Sequence, residues 1–328
     1  MQTRLGVNWR TGGAKELLGI IMAASAAAAA TFQAPAAFSL GDAANYALIF
    51  DDGNGNTLQV YPGAGANGLA VVGNVGIGGC GNLDVHYGSI IDGNVNFSGS
   101  ENLSGGGTIN GTVSANQTTL ATDISNLSRL SSTLKGETGA GVSVNGNATI
   151  TASSGALDSS GNYVFNVNSF TLGSGSTLTI NGDSSHGVVL NFASGSPTFG
   201  GTIVLSGGIT SDQVLFNVTG NGNTLTLGSS GSAPSLTGTF LDPGGVINMN
   251  NAVLSGRLFG GGAWSDESIG SDAVEIISPV PEPGTILAGA LLLLPFAAST
   301  VRIARQGRPA LAGPSRFRVQ AGAPPATL

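Results

Sequence analysis

The sequence contains a single cysteine and very little charge: of its 328 residues, 9% are charged and 6% are aromatic. The lone Cys80 excludes an intramolecular disulfide framework and a metal site built from several cysteines. Only two histidines are present, His86 and His186, and neither has a second histidine or a cysteine at ligand spacing. We therefore expect no metal site and no cofactor, and place Cys80 in a tight turn or in the core.

Basic charge is nearly absent from the central part of the chain. Between Phe38 and Val280 three basic residues, Arg129, Lys135 and Arg257, stand against sixteen acidic ones, a formal balance of −13. Proteins that bind nucleic acid need a basic footprint, so we expect no nucleic-acid partner. The other eight basic residues lie near the two ends of the sequence.

Glycine and aliphatic residues are what the sequence has in quantity, with 54 glycines and a hydrophobic fraction of 41%. Disordered chains combine low hydrophobicity with high net charge, and this chain does not. The composition therefore favours a folded, glycine-rich β protein.

The N-terminal segment, residues 1–37, has the three parts of a secretory signal peptide. Arg4, Arg10 and Lys15 are followed by an apolar stretch that begins at Leu18, and Ala34–Ala37 offers small residues for cleavage. The alternative is an N-terminal anchor helix. Either interpretation predicts that the body is exported.

Near the C-terminus, Thr285–Val301 is a run of seventeen uncharged residues, at the short limit for spanning a bilayer of about 30 Å. We expect a transmembrane segment over residues 285–303. The arginines of a basic tail, residues 304–328, would keep that side in the cytoplasm. The body would then lie outside the membrane, tethered by its C-terminal helix before any processing.

Residues 272–284 are expected to form a linker that ends in a sorting motif. Pro281, Glu282 and Pro283 precede the apolar run, and Arg302 and Arg305 follow it. This combination resembles the PEP-CTERM sorting signal of bacteria. The resemblance implies an exosortase as partner and release or attachment at the cell exterior. A plain C-terminal anchor is the alternative.

Strand-length runs separated by glycine, serine and asparagine corners predict an all-β body. Tyr163–Val167 and Val214–Val218 are β-branched and aromatic, whereas Thr177–Ile180 and Thr224–Leu227 alternate between polar and aliphatic residues. Phe165-Asn166-Val167 recurs 51 residues later, and the Leu-Thr pattern of Leu178 recurs at Leu225. We expect a right-handed β-solenoid, or β-helix, in which each coil buries its aliphatic edge against the next. A β-sandwich is the competing fold.

One segment, residues 117–135, predicts a helix instead. Its aliphatic residues are spaced by four, three, three and four positions and form one stripe: Leu120, Ile124, Leu127, Leu130 and Leu134. Gly136 would end the helix. We expect it to lie along the flank of the solenoid, and a partner-binding helix is the alternative.

The body from Phe38 to about Ser271 resembles the choice-of-anchor A group of bacterial surface proteins, and more distantly the ice-binding β-solenoids. The resemblance rests on Leu40–Phe50, Gly73–Gly79, Val214–Val218 and Leu254–Phe259. It implies a solenoid domain, over residues 38–271, that carries a long flanking helix.

Two sets of polar residues are candidate binding sites. Asp52, Asn54 and Asn56 alternate as calcium ligands do, although Thr57 and Gly63 stand where a calcium loop has glycine and glutamate. An exposed hairpin turn is the alternative.

The second set is threonine rows of the kind that adsorb ice, formed by Thr149, Thr151, Thr177, Thr179, Thr224 and Thr226. Their separations are not multiples of one coil length, so the three pairs could occupy different faces. Alternating threonine is also simply a good strand former.

The sequence holds no signature of catalysis. Gly173–Ser176 and similar strings have the composition of turns, and the Gly-x-Gly strings lack the strand–turn–helix context of nucleotide loops. We therefore expect no enzyme activity. The predicted function is that of an exported structural or adhesive protein of the cell surface or extracellular matrix, with exopolysaccharide as a candidate partner. Ice binding is the alternative function.

Overall fold

The structure is a computed structural model that describes residues 38–51, 54–63, 68–262, 265–270 and 274–277. The chain divides into two compact units, Met1–Pro279 and Val280–Leu328, and every described residue belongs to the first. The predicted signal peptide (residues 1–37), transmembrane segment (residues 285–303) and basic tail lie outside the described residues. Within the described part of the chain, no helix is long and apolar enough to cross a bilayer.

The first half of the body consists of ten short strands. They are β1 (Tyr46–Phe50), β2 (Thr57–Val60), β3 (Leu69–Val72), β4 (Asn74–Ile77), β5 (Asn82–Val85), β6 (Ile90–Asp92), β7 (Val95–Phe97), β8 (Leu103–Gly105), β9 (Thr108–Ile109) and β10 (Val113–Ser114). A helix, α1 (Thr118–Gly136), follows them. Short 3-10 turns cover Gly41–Asn45, Ala152–Ser154 and Ser211–Gln213.

The second half contributes fifteen further strands. They are β11 (Ala140–Asn145), β12 (Ala148–Thr151), β13 (Ala156–Leu157), β14 (Asn162–Thr171), β15 (Thr177–Asn181), β16 (Gly187–Phe192), β17 (Thr198–Phe199), β18 (Thr202–Ser206), β19 (Val214–Val218), β20 (Thr224–Leu227), β21 (Ser235–Asp242), β22 (Val246–Met249), β23 (Ala252–Gly260), β24 (Glu267–Ile269) and β25 (Val274–Ile277).

These strands form a parallel β-solenoid, as predicted, and not a sandwich. Nearly every strand pairs in parallel with a strand of the next coil, the exception being the short antiparallel contact of β13 with β14. Coil length varies, since Leu48 pairs with Val75, 27 residues on, whereas Phe240 pairs with Leu258, 18 residues on. Each coil is too thin to hold a core alone, so its stability comes from its neighbours.

The winding begins in the middle of the solenoid. Along the sheet that we call the helix-side sheet, the order is β10-β7-β4-β1-β23-β21-β19-β16-β14-β11. The chain therefore winds from β1 outward to β10, returns through α1, and winds from β11 back to β23, which pairs with β1. Both halves advance in the same direction, which keeps their strands parallel at this junction.

Helix α1 lies along the helix-side sheet. Leu120, Ile124, Leu127 and Leu134 of its predicted stripe are buried, and they share a hydrophobic cluster with residues of the sheet such as Ile49, Val189, Leu215 and Phe259. Leu130 is partly buried against the same cluster. At 19 residues the helix is about 28 Å long, enough to cover about six strands at 4.8 Å spacing. The flanking position is confirmed.

The sequence repeat has two different explanations. Phe165 pairs with Leu190, and Leu190 pairs with Phe216, so the repeated Phe-Asn-Val segments lie two coils apart in the helix-side sheet. Leu178 and Leu225, in contrast, belong to different sheets. The Leu-Thr similarity is therefore not a coil repeat, and that part of the prediction was wrong.

Candidate binding faces

Two further sheets carry the polar residues that the sequence singled out. Strands β12, β15 and β18 form a three-stranded sheet, and strands β17, β20, β22, β24, β2, β5 and β8 form a seven-stranded sheet in that order. In both, aliphatic side chains alternate inward and polar side chains alternate outward, because successive residues of a strand point to opposite faces.

The three-stranded sheet holds four of the six candidate threonines. Thr149 pairs with Thr179 across neighbouring coils, while Ile150 beside them is buried. Thr177 pairs with Thr202, which extends the set by a residue that the sequence analysis did not include. The row from Thr149 continues to Val204, which is 43% exposed. The result is a small patch of threonine interrupted by one valine.

Thr224 and Thr226 lie in the seven-stranded sheet, so the six threonines do not share one face. Thr226 pairs with Thr198, and Thr224 pairs with Val246. Only a coil register could have revealed this division, since the separations of 28 and 47 residues contain coils of unequal length.

The seven-stranded sheet presents the longest ordered row of polar side chains. Cross-strand pairs connect a central row that crosses all seven strands: Thr198, Thr226, Asn248, Ser268, Gln59, Asp84 and Ser104. Six strand spacings give the row a length of about 29 Å. Beneath it the inward side chains are buried, among them Leu225, Ile247, Leu58 and Leu83.

The regular spacing of this row determines what it can do. The parallel ladder holds neighbouring side chains about 4.8 Å apart along the solenoid axis. Hydroxyl, amide and carboxylate groups alternate along it and offer both donors and acceptors. Such an array matches an extended, repetitive partner better than a small molecule, which binds in a concave pocket.

The comparison with known families agrees with this geometry. A family model for an ice-binding-like adhesive domain matches residues 31–265. The chain belongs to this family. No curated protein matches the chain.

Several solved ice-binding proteins are similar in structure to this adhesive domain. One from the Antarctic ascomycete Antarctomyces psychrotrophicus is 16% identical, with a TM-score of 0.45, over 75% of this chain and 100% of its own. One from an Arctic yeast is 16% identical, with a TM-score of 0.47, over 76% and 98%. One from an Antarctic bacterium of the Flavobacteriaceae is 18% identical, with a TM-score of 0.48, over 76% and 50%. The family membership rests on the family model alone.

The candidate calcium residues of this adhesive domain lie at a corner between two sheets. The turn is not a hairpin, because β1 pairs with β4 and β23 while β2 pairs with β5 and β24. Asn54 and Asn56 are described, and Asp52 lies outside the described residues. The backbone oxygens of Gly55 and Asn56 accept hydrogen bonds from Asn82 Nδ2, at 2.7 and 3.3 Å. The next coil therefore holds this turn.

The sorting residues Pro281, Glu282, Pro283, Arg302 and Arg305 lie outside the described residues. Across the described ranges, no group of three or more His, Cys, Asp or Glu side chains could hold a metal ion. Cys80 is exposed in a turn, which agrees with the first of its two predicted positions.

The adhesive domain contains one buried carboxyl group with a strongly altered pKa. Asp242 ends β21 and is fully buried, and neither of its side-chain oxygens has a hydrogen-bond partner. Burial raises the pKa of Asp242 to about 8, and the backbone N–H of Gly245 offsets only part of that rise. The carboxyl group is therefore largely protonated at neutral pH and serves the junction of the coils, not a surface site.

The two histidines occupy opposite halves of the domain. His86 follows β5 and stacks on Tyr61, with ring centroids 4.0 Å apart. His186 precedes β16, and its Nδ1 lies 3.0 Å from Asp183 Oδ1. Each histidine thus has a tyrosine of a neighbouring coil and an aspartate beside it, since Tyr163 contacts His186 at 5.1 Å. The spacing of 25 residues between Tyr61 and His86 is a signal that only a known coil length makes visible.

Proposed function

We propose that this protein is an exported, non-enzymatic adhesive domain that attaches to the extracellular matrix through its seven-stranded sheet. The observation that carries the proposal is the unbroken register from Thr198 to Ser104, which orders seven polar side chains over about 29 Å. Membership in an adhesive-domain family supports it.

The charge of the body narrows the partner. With three basic residues against sixteen acidic ones between Phe38 and Val280, the domain repels polyanions at low ionic strength. A neutral matrix polymer, such as an uncharged exopolysaccharide, fits this surface better than nucleic acid or an acidic polymer. Long rows of weak polar contacts also suit a polymer, because many such contacts act together.

Export and sorting complete the proposal. The N-terminal signal-like segment would carry the chain across the membrane, and the C-terminal helix would hold it there. Pro281-Glu282-Pro283 with Arg302 and Arg305 would direct an exosortase to process the chain, as in PEP-CTERM proteins. The protein would then belong among the choice-of-anchor A type surface proteins.

Fractionation and retention together test this function. We expect the chain in the surface or matrix fraction of producing cells, and saturable retention of the purified full-length chain on surfaces coated with their matrix. Mass spectrometry should find a mature C-terminus near Pro283. A cytosolic location, or no retention above that on bare surfaces, would contradict the proposal.

Ice adsorption is a second candidate function, favoured by the threonine patch of the three-stranded sheet. Thr149 pairs with Thr179, and Thr177 pairs with Thr202, so two threonine rungs lie side by side. This function predicts that the full-length chain inhibits ice recrystallisation. The variant Thr179→Tyr should lose the effect, whereas Thr226→Tyr on the seven-stranded sheet should keep it. Equal activity of the two variants would exclude the patch.

A further inference from the structure

A short aromatic stack lies at one end of the seven-stranded sheet. Tyr61 follows β2 and His86 follows β5, and their rings are stacked with centroids 4.0 Å apart and planes inclined by 17°. Val60 pairs with Val85 just before them, so the stack continues the coil-to-coil register of the sheet. The two rings form a ladder of the kind that aromatic side chains build on successive coils.

The ladder stops one coil early. Val85 pairs with Gly105 in β8, and the residue that follows is Gly106, so the position beside His86 on the next coil carries no side chain. Gly106 is exposed, and a Cβ atom added to it would meet only Tyr87, at 3.6 Å or more. There is therefore space for one more ring above His86, whose side chain is 34% exposed.

Tyr87 borders this open position and has no structural duty there. It is 89% exposed, the most exposed large hydrophobic side chain in the described part of the protein. An aromatic ring left in water forgoes the stabilisation that burial would bring, about 25 cal/mol for each Å² of apolar surface. Exposed aromatic groups beside open space are typical of binding sites.

Polar groups stand within reach of the same position. Asp84 lies in the outward row next to His86, and its Oδ2 is 3.5 Å from His86 Nε2. Gln59 Oε1 accepts a hydrogen bond from the Tyr61 hydroxyl at 3.0 Å, which orients the amide so that Nε2 remains as a donor. The site thus combines aromatic faces with an acceptor and a donor.

We propose that this position, bounded by His86, Tyr87 and Gly106, binds one pyranose ring of a neutral polysaccharide. The proposal deepens the adhesive function argued above and rests on it. A pyranose ring has an apolar face of C–H groups, which fits an aromatic ring, and a rim of hydroxyl groups, which fits Asp84 and Gln59. The acidic surface excludes uronic-acid polymers, since Asp84 would face their carboxylates.

Binding to soluble polymers tests this proposal with the full-length chain. The probes are dextran and a soluble β-glucan as neutral polymers and alginate as an acidic one, each cast in native gels for affinity electrophoresis. Two variants remove the site in different ways: Tyr87→Ala deletes the exposed ring, and Gly106→Val fills the open position, where its Cβ fits without a clash. Leu157→Ala, 58% exposed on β13 in the other half, is the matched control.

We expect a neutral polymer to retard the wild-type chain and alginate not to retard it. The dissociation constant should rise at least about tenfold in both site variants and remain unchanged in the control, which corresponds to the loss of about 1.4 kcal/mol of binding. Thermal unfolding should be unchanged in all three, since Tyr87 and Gly106 lie outside the core. The proposal is overturned if neither neutral polymer binds, if Tyr87→Ala binds as well as the wild type, or if alginate binds best. Retention on matrix-coated surfaces without neutral-polymer binding would leave the adhesive function intact and remove this site.

Discussion

Asn217 and Ser131 hold the helix to the solenoid by a reciprocal pair of hydrogen bonds. Ser131 Oγ donates to Asn217 Oδ1 at 2.6 Å, and Asn217 Nδ2 donates to the backbone oxygen of Ser131 at 3.1 Å. Both side chains are buried. Asn191, the partner of Asn217 on the next coil, donates to the backbone oxygen of Leu134 at 2.8 Å. Paired asparagines thus fix the C-terminal half of α1.

Replacing Asn217 by alanine should therefore destabilise the domain. The change leaves the Ser131 hydroxyl and Asn191 Oδ1 buried without their partner, which costs about 2–4 kcal/mol in the free energy of unfolding. Chemical denaturation followed by circular dichroism measures this loss. Asn166→Ala is the matched control, because Asn166 precedes Asn191 in the same row but is exposed, and its loss should stay below about 1 kcal/mol. Equal losses in the two variants would show that the buried pair does not hold the helix.

The contact between Gly76 and Leu120 predicts a compensating pair of substitutions. A Cβ atom at Gly76 would approach Leu120 Cδ1 to 2.8 Å and Ile49 Cγ1 to 3.3 Å. Gly76→Ala should cost about 1–3 kcal/mol by overpacking, and Leu120→Ala about 2–5 kcal/mol by opening a cavity. The double variant should be more stable than the sum of the single losses by at least about 1 kcal/mol. Strict additivity would mean that α1 does not rest on β4.

The buried carboxyl group of Asp242 makes stability depend on pH. Its pKa is about 8 in the folded protein and about 4 in an unfolded chain, so the folded state keeps a proton that the unfolded state releases. The free energy of unfolding should therefore fall as pH rises from about 4 to about 8, by roughly 3–5 kcal/mol. Urea denaturation at several pH values measures the slope.

The variant Asp242→Asn keeps the shape of the side chain and removes its charge. It should lose this slope and exceed the wild type in stability at pH 8. Glu101→Gln, at an exposed position, should keep the wild-type slope. If Asp242→Asn shows the slope of the wild type, another group is responsible for it.

The sequence predicted the local elements well because each leaves a strong pattern. The helix is found at Thr118–Gly136, one residue from the predicted bounds, since its aliphatic stripe is regular. Val214–Val218 is a strand with the predicted bounds. Short-range periodicity suffices for such elements.

The arrangement of the coils could not be predicted in the same way. Phe50 pairs with Gly260, a contact between the first and the last strands of the helix-side winding, and no local pattern indicates it. Unequal coils, from 18 to 27 residues, conceal the register that joins Thr226 to Asn248 and Tyr61 to His86. The candidate site depends on that register, so its threonines were found as residues but not as faces.

Retention of one variant on matrix-coated surfaces tests the central claim most directly. Ser268 lies in the middle of the central row, between Asn248 and Gln59, so Ser268→Tyr places a bulky ring where the row must be flat. Asn181→Tyr puts the same ring on the exposed three-stranded sheet. The account predicts that Ser268→Tyr reduces the retention of the full-length chain at least about tenfold, while Asn181→Tyr retains like the wild type. Undiminished retention of Ser268→Tyr would contradict the claim that the seven-stranded sheet is the adhesive face.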